Sequence, residues 1–335
     1  MASTAKKLAY AAVAVSVMAL LAASYLRKDI ESVTFSRSQM GTLVQITLME
    51  GDESSYEAAA NAAFDEISRL EGLLSSYRPE SDVSRVSNAA GEKAVRVSPE
   101  VMEVIEEALM IARLSGGAFD PTVGALARAW GYSGEKGRVP AKEEVEKLLP
   151  LVDYTAVKVD AKGGTVMLAK KGMVLNLGGV AKGYIVKKAV EVLKARGMRR
   201  GIIHAGGDMT VFQTGEEKPF IIGIQHPREK KLLGEMLVNN GAVATSGDYE
   251  RFFEKDGVRY HHILDPATGF PARKSRSATV TSVNPTQADA LSTAVFVMGP
   301  EKGMELIESL DKVEGVLVDG RGKVFTSSGF KGRIF

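Results

Sequence analysis

The chain has 335 residues, 45% hydrophobic and 25% charged, with a formal net charge of +2. That is enough apolar sequence for a sizeable core, and the basic clusters (Arg199-Arg200; Arg273, Lys274, Arg276) lack the interleaved aromatics of a nucleic-acid surface. The absence of cysteine excludes disulfides, thiolate catalysis, iron–sulfur clusters, cysteine-ligated zinc and a lipid-modified cysteine, leaving oxygen or imidazole as metal donors.

Leu8 to Leu26 carries no charge and follows Lys6-Lys7. Its length suffices to span a bilayer, and the lysines favour a cytoplasmic N-terminus with everything after it exported. Residues 1–30 are therefore expected to be a membrane anchor. The alternative is a signal segment cleaved near Ala22-Ala-Ser24, releasing the domain to the periplasm. Residues 31–335 form the main domain.

Phe35 to Glu50 alternates loosely and predicts a strand. Phe64, Ile67, Leu70 and Leu74 recur at helical spacing. Ser98-Pro99 starts a helix that buries Val101, Val104, Ile105, Ala108 and Leu109, and a shorter amphipathic helix covers Ala141 to Leu149. Residues 157–160 and 165–168 flank Lys162-Gly-Gly164 as a hairpin, and Val174 to Leu177 predicts a short strand. A helix then runs to about Arg196 and stops at Gly197. Ile202 to His204 is a buried strand ending at Gly206-Gly-Asp208.

Further strands are predicted over 220–225, 235–238, 259–264 and 277–283, and helices over 286–297 and 301–310. A hairpin of 316–319 with 323–326 closes the chain. Hairpins with irregularly interspersed helices argue for a mixed α/β (α+β) body with a cleft between two lobes, because strict strand–helix alternation is missing.

Several segments carry chemistry. Asn176 to Gly183 places glycines before a helix, where free N–H groups attract anions, and Lys182 adds positive charge. The spacing is not that of a Walker loop, and glycines before a helix are most often just a tight turn. Asp289 and Thr293 share one helix face within an apolar run. A buried carboxylate needs a partner, which a hard cation such as Mg²⁺ would supply; helix-dipole stabilisation with Thr293 bonding back to a carbonyl is the competing explanation. His262 could act as a base for a hydroxyl nucleophile, while His261 faces the other way; a lone histidine of this kind is more often structural. Tyr77, at a helix end, could stack on a planar ring, though an aromatic there more often simply packs; Trp130 reads as core.

Taken in order, Met40-Gly-Thr42, Ser76 to Ser84, Gly117-Ala-Phe-Asp-Pro121, Leu175 to Gly183, Gly206-Gly-Asp208, Thr245-Ser-Gly247, His262 to Pro266 with Thr268-Gly269, and Asp289 to Thr293 form a series. That series closely resembles the ApbE family, the FAD:protein FMN transferases. The resemblance covers nearly all of residues 35–330.

The resemblance implies a T-fold-related α/β body with a deep cleft, and FAD as substrate with Mg²⁺ as cofactor. FMN would pass to a threonine of an exported or membrane flavoprotein, with release of AMP. Acceptors would be Rnf-like subunits or subunits of sodium-pumping NADH:quinone reductases. By motif, Met40, Tyr77, Ala118, Phe119, Asp120, Lys182, Thr245 and Ser246 would line the FAD site. Lys182 stands where other members carry glutamate. The Ala181 carbonyl, Asp289 and Thr293 would hold Mg²⁺, and His262 would assist the incoming threonine. An anchored N-terminal helix would keep the enzyme at the periplasmic face of the inner membrane. A Mg²⁺-dependent FAD pyrophosphatase and a non-catalytic flavin-binding protein are the competing functions.

Overall fold

The structure, a computed structural model, describes residues 32–132, 137–215 and 218–335. Its frame is an eight-stranded antiparallel sheet. The strands lie side by side in the order Val33–Gln39, Thr42–Glu50, Arg200–Ala205, Asp208–Gln213, Gly241–Gly247, Ser275–Ser282, Val313–Asp319 and Val324–Thr326.

The alternation of each strand assigns its two faces. Val44, Ile46, Leu48, Ile203, Ala205, Phe212, Ala278, Val280 and Leu317 turn to one side and pack under the helices. Those helices are Tyr56–Leu74, Pro99–Leu114, Ala181–Ala195, Pro285–Met298 and Pro300–Glu308. Val211, Val243, Val316 and Val318 turn to the other side, against a three-stranded sheet that contains Phe220–Gln225, Leu232–Val238 and Gly332–Ile334. The result is three layers, the mixed α/β architecture expected.

Pro285–Met298 is buried on nearly every side, as a helix enclosed by other elements must be. Its apolar residues fill the interior, so Asp289 and Ser292 are carried into the core with them. The Asn284 side chain caps its start by accepting from Thr286 N–H at 3.2 Å, and Gly299 at φ 85° ends it. The Ser98-Pro99 start is also as predicted, with Ser98 as cap and proline in the first turn.

Three expectations need correction. Residues 35–50 are not one strand but a hairpin, because Met40 (φ 53°) and Gly41 (φ 68°) turn the chain through the left-handed region. A methionine carries no turn signal in sequence. Val174 to Leu177 is not a strand; Val174 makes only an isolated bridge to Val123. Its neighbours are satisfied otherwise: Leu175 N–H donates to Ser87 Oγ at 3.0 Å and Asn176 N–H to Pro121 O at 2.7 Å. The hairpin of 313–326 does not close the chain, since Gly332–Ile334 returns to the small sheet.

The strands Asp208–Gln213 and Gly241–Gly247 were not expected, nor was the helix Asp82–Asn88. The expected anchor at 8–26 lies outside the described residues. Among the described residues no helix is long and apolar enough to cross a membrane.

Candidate active site

Two turns and two helix starts meet at one end of the large sheet. Lys182 stands in the first turn of Ala181–Ala195. Asp208 opens its strand directly after the Gly206-Gly207 turn, on the sheet face that looks toward the helices. The two side chains form an ion pair. Burial opposes the Lys182 charge, but Asp208 and Asp289 outweigh it and hold the ammonium protonated well above the usual lysine range.

Asp289 is only 4% exposed. Its Oδ2 accepts the Gly183 N–H at 2.9 Å, so the carboxylate sits against the N-terminal end of the neighbouring helix. Gly183 is what permits this approach. A Cβ there would lie 2.2 Å from the Pro285 carbonyl oxygen and 2.9 Å from Asp289 Cβ. Burial pushes the Asp289 carboxyl up to about 7, Asp208 adds to the rise, and Lys182 and the Gly183 N–H oppose it.

One turn further along, Thr293 Oγ1 lies 3.2 Å from Ser246 Oγ, which also bonds Ser292 Oγ at 2.9 Å. Gly179 brings the glycine turn against the same point: a Cβ there would meet Thr293 Oγ1 at 3.1 Å and the Phe119 ring at 3.3 Å. Phe119, Gly179, Thr293 and Ser246 thus form one wall, and Lys182, Asp208 and Asp289 the adjoining one. The oxygen donors here are the buried carboxylates of Asp289 and Asp208, the second already paired with Lys182, and the Thr293 and Ser246 hydroxyls, a set that suits a hard cation completed by substrate oxygens and water. Among the described residues no group of three or more His, Cys, Asp or Glu is arranged to hold a metal.

His262 follows the Val258–His261 strand. Its Nδ1 lies 3.2 Å from the Arg251 carbonyl, which also accepts the His262 backbone N–H at 3.0 Å. A carbonyl only accepts, so Nδ1 carries the proton and Nε2 keeps a free lone pair. Burial holds the imidazole down at about 4, and the cations Arg251 and Lys182 reinforce that, leaving it neutral at pH 7. His261 turns inward instead, as the alternation required: its Nε2 bonds the Ala272 carbonyl at 2.7 Å, and its ring meets Phe296 edge-on.

Beside these walls opens a cleft of about 480 Å³, lined by Tyr77, Tyr132, Glu250, Arg251, Phe252 and Phe253 among others. Tyr77 is 57% exposed, and its hydroxyl donates to the Tyr132 carbonyl at 3.3 Å. An exposed aromatic face on a cleft wall is available to a planar ring.

Not every expected residue presents its side chain here. Asp120 spends both oxygens inside the chain. Oδ1 accepts from Thr122 N–H at 2.8 Å and Thr122 Oγ1 at 2.6 Å, and Oδ2 from Tyr154 N–H at 3.0 Å. It organises the turn that carries Ala118 and Phe119, whose amide donates to Ser115 Oγ at 3.1 Å. Thr245 lies on the sheet face opposite Ser246 and bonds Thr279 at 2.9 Å. Met40 is fixed in the hairpin turn, its N–H donating to Glu71 Oε2 at 3.1 Å. Ala181 is buried as the first helical residue.

Sequence reasoning gave no role to Asp208, Glu250 or Arg251. Asp208 had a signal, the turn glycines before it; Arg251 and Glu250 had none, because only the fold brings them to His262 and Lys182.

Fold and site together define an α/β enzyme body in which a lysine-bearing helix start and a buried carboxylate lie near a neutral histidine. The ApbE family model matches residues 40–317, and the chain belongs to that family. It is 33% identical to the FAD:protein FMN transferase of Treponema pallidum (strain Nichols), over 90% of this chain and 88% of that one. A Klebsiella pneumoniae (strain 342) protein of the same name is also 33% identical, over 88% of this chain and 92% of the other. The crystal structure of the ApbE protein from Thermotoga maritima superposes with a TM-score of 0.83 at 35% identity, covering 89% of this chain and 97% of that chain. The flavin transferase ApbE from Vibrio cholerae gives 0.77 at 28% identity, with 89% and 97% covered.

Proposed function

We propose that the chain is a Mg²⁺-dependent FAD:protein FMN transferase. The carrying observation is the juxtaposition of Lys182, at a helix start, with Asp289 and Thr293 on the neighbouring helix, within electrostatic reach of a neutral His262.

The reaction is attack of an acceptor threonine hydroxyl on the FMN-side phosphorus of FAD. A phosphoester bond to the threonine oxygen forms as the phosphorus–oxygen bond to AMP breaks. The threonine proton passes to His262 Nε2, the ring atom left free by the Nδ1 contact. Lys182 meets the pyrophosphate charge that builds as AMP departs. The Asp289 carboxylate, Thr293 hydroxyl and Ala181 carbonyl would hold Mg²⁺, which when bound neutralises phosphate oxygens and stabilises the leaving group. Tyr77 offers its ring to the flavin, and Ser246 borders the phosphates beside Thr293.

The acceptor is an exported or membrane flavoprotein such as an Rnf-like or sodium-pumping NADH:quinone reductase subunit. The uncharged segment 8–26 supports a place at the periplasmic face of the inner membrane, either anchored there or released after cleavage.

The test is AMP release from FAD and Mg²⁺ with and without a threonine-bearing acceptor. AMP release that rises with acceptor, together with flavin bound to it, supports transfer. AMP and free FMN produced at the same rate without acceptor would make the chain a pyrophosphatase.

A further inference from the structure

Among the described residues the hairpin of Phe252–Lys255 and Val258–His261 pairs with no other strand. Its bonding pattern is fixed by one contact: His262 N–H donates to Arg251 O at 3.0 Å, so Arg251 and His262 are a hydrogen-bonded pair. Bonded and non-bonded pairs alternate along antiparallel strands. Phe253 with Tyr260, and Lys255 with Val258, are therefore the next bonded pairs in the register. The backbone N–H and C=O groups of Phe252 and Glu254 point the other way. Among the described residues neither has a backbone partner there.

This open edge is packed onto an aromatic cluster. Phe253 stacks on Tyr260 with centroids 5.3 Å apart, and Tyr260 packs on the fully buried Trp130 at 5.6 Å. The edge also sits at the chemistry. Phe252 and Phe253 line the same cleft as Tyr77 and Glu250, and Arg251, one residue before the edge, holds His262 by its carbonyl. Unpaired strand edges accept an extended segment through main-chain hydrogen bonds, with little demand on the incoming sequence.

We propose that the Phe252–Glu254 edge takes the threonine-bearing segment of the acceptor protein as an added strand, setting its hydroxyl beside His262. This rests on the transferase reading. The occupant is an extended peptide continuous with the reacting threonine, because the edge runs directly into the residues that hold the catalytic base. Recognition through backbone groups serves different acceptors that share only an extended threonine segment.

Glu254→Pro tests it. Proline removes one outward N–H and is tolerated on a strand edge whose N–H faces away from its partner. With the full chain, FAD, Mg²⁺ and the threonine-bearing domain of a sodium-pumping NADH:quinone reductase subunit, the acceptor KM should rise about tenfold, the loss of roughly one main-chain hydrogen bond. FAD affinity should hold, and Glu254→Ala, which keeps the N–H, should leave the acceptor KM near wild type. Amide exchange of the wild-type chain gives a second reading: Phe252 and Glu254 should exchange more slowly once acceptor is added. Wild-type transfer with unchanged acceptor KM in Glu254→Pro and no added protection overturns the docking edge alone. No transfer by the wild-type chain overturns the transferase reading, and the edge with it.

Discussion

Lys182 and Asp208 form an ion pair that ties the first turn of one helix to the strand behind the Gly206-Gly207 turn. Both side chains are largely withdrawn from water, with 29% and 9% exposure. Removing one partner leaves the other charge uncompensated, which costs more than the pair contributes. Asp208→Ala should therefore destabilise the fold by about 3 kcal/mol in urea unfolding. Adding Lys182→Met should restore much of that loss while FAD turnover stays low. Equal stabilities for Asp208→Ala and wild type would show that the pair is not formed in solution.

Gly183 keeps the two helices close enough for its N–H to reach Asp289. Gly183→Ala forces a Cβ into backbone atoms of Pro285, and no flexible side chain can yield. The expected cost is about 1–3 kcal/mol, with loss of FAD turnover. Gly72, inside the Tyr56–Leu74 helix, has nothing within 4 Å of an added Cβ, so Gly72→Ala should gain about 0.5–1 kcal/mol. Thermal melts of the two variants should move in opposite directions.

Asp289→Asn keeps the shape of the side chain but removes its charge. AMP release in Mg²⁺ should fall more than about 100-fold, while the variant remains folded. Retained turnover across a Mg²⁺ titration would remove Asp289 from the metal site.

The ring of His262 is held neutral by burial, as is that of His261, each down at about 4. A histidine with a depressed folded value binds its proton more readily when unfolded. Its stabilising contribution is therefore complete above about 6.5 and is lost as pH falls from there through about 4. The thermal midpoint should drop over that window, and the drop should shrink in His261→Gln. In the free chain, the His262 ring signal in NMR should titrate near 4, far below an exposed histidine. A midpoint near 6.5 would mean that the imidazole is not screened from water.

Helices with strong apolar periodicity were legible in sequence, such as the one carrying Phe64, Ile67, Leu70 and Leu74, because their buried face repeats regularly. The hairpin at Met40 was not, since a left-handed methionine leaves no local mark. Gly241–Gly247 was missed because its buried inner and outer faces read as a mixed run rather than alternation. Local patterns singled out Asp289, Thr293, Lys182 and His262, and the fold brings Asp289 against the helix start that carries Lys182. Asp208 acts through Lys182, a pair that only the packed sheet and helix bring together, and Arg251 through His262, which the intervening hairpin sets opposite it. Asp120, which the family resemblance alone placed at the FAD site, has its oxygens taken up by its own turn.

The most direct test is intact-mass spectrometry of an acceptor domain incubated with the full chain, FAD and Mg²⁺, alongside the same domain with its target threonine changed to valine. Transferase chemistry predicts an FMN-sized gain on the threonine domain only, with AMP released in equal amount. AMP with free FMN and no mass gain on either domain would contradict it.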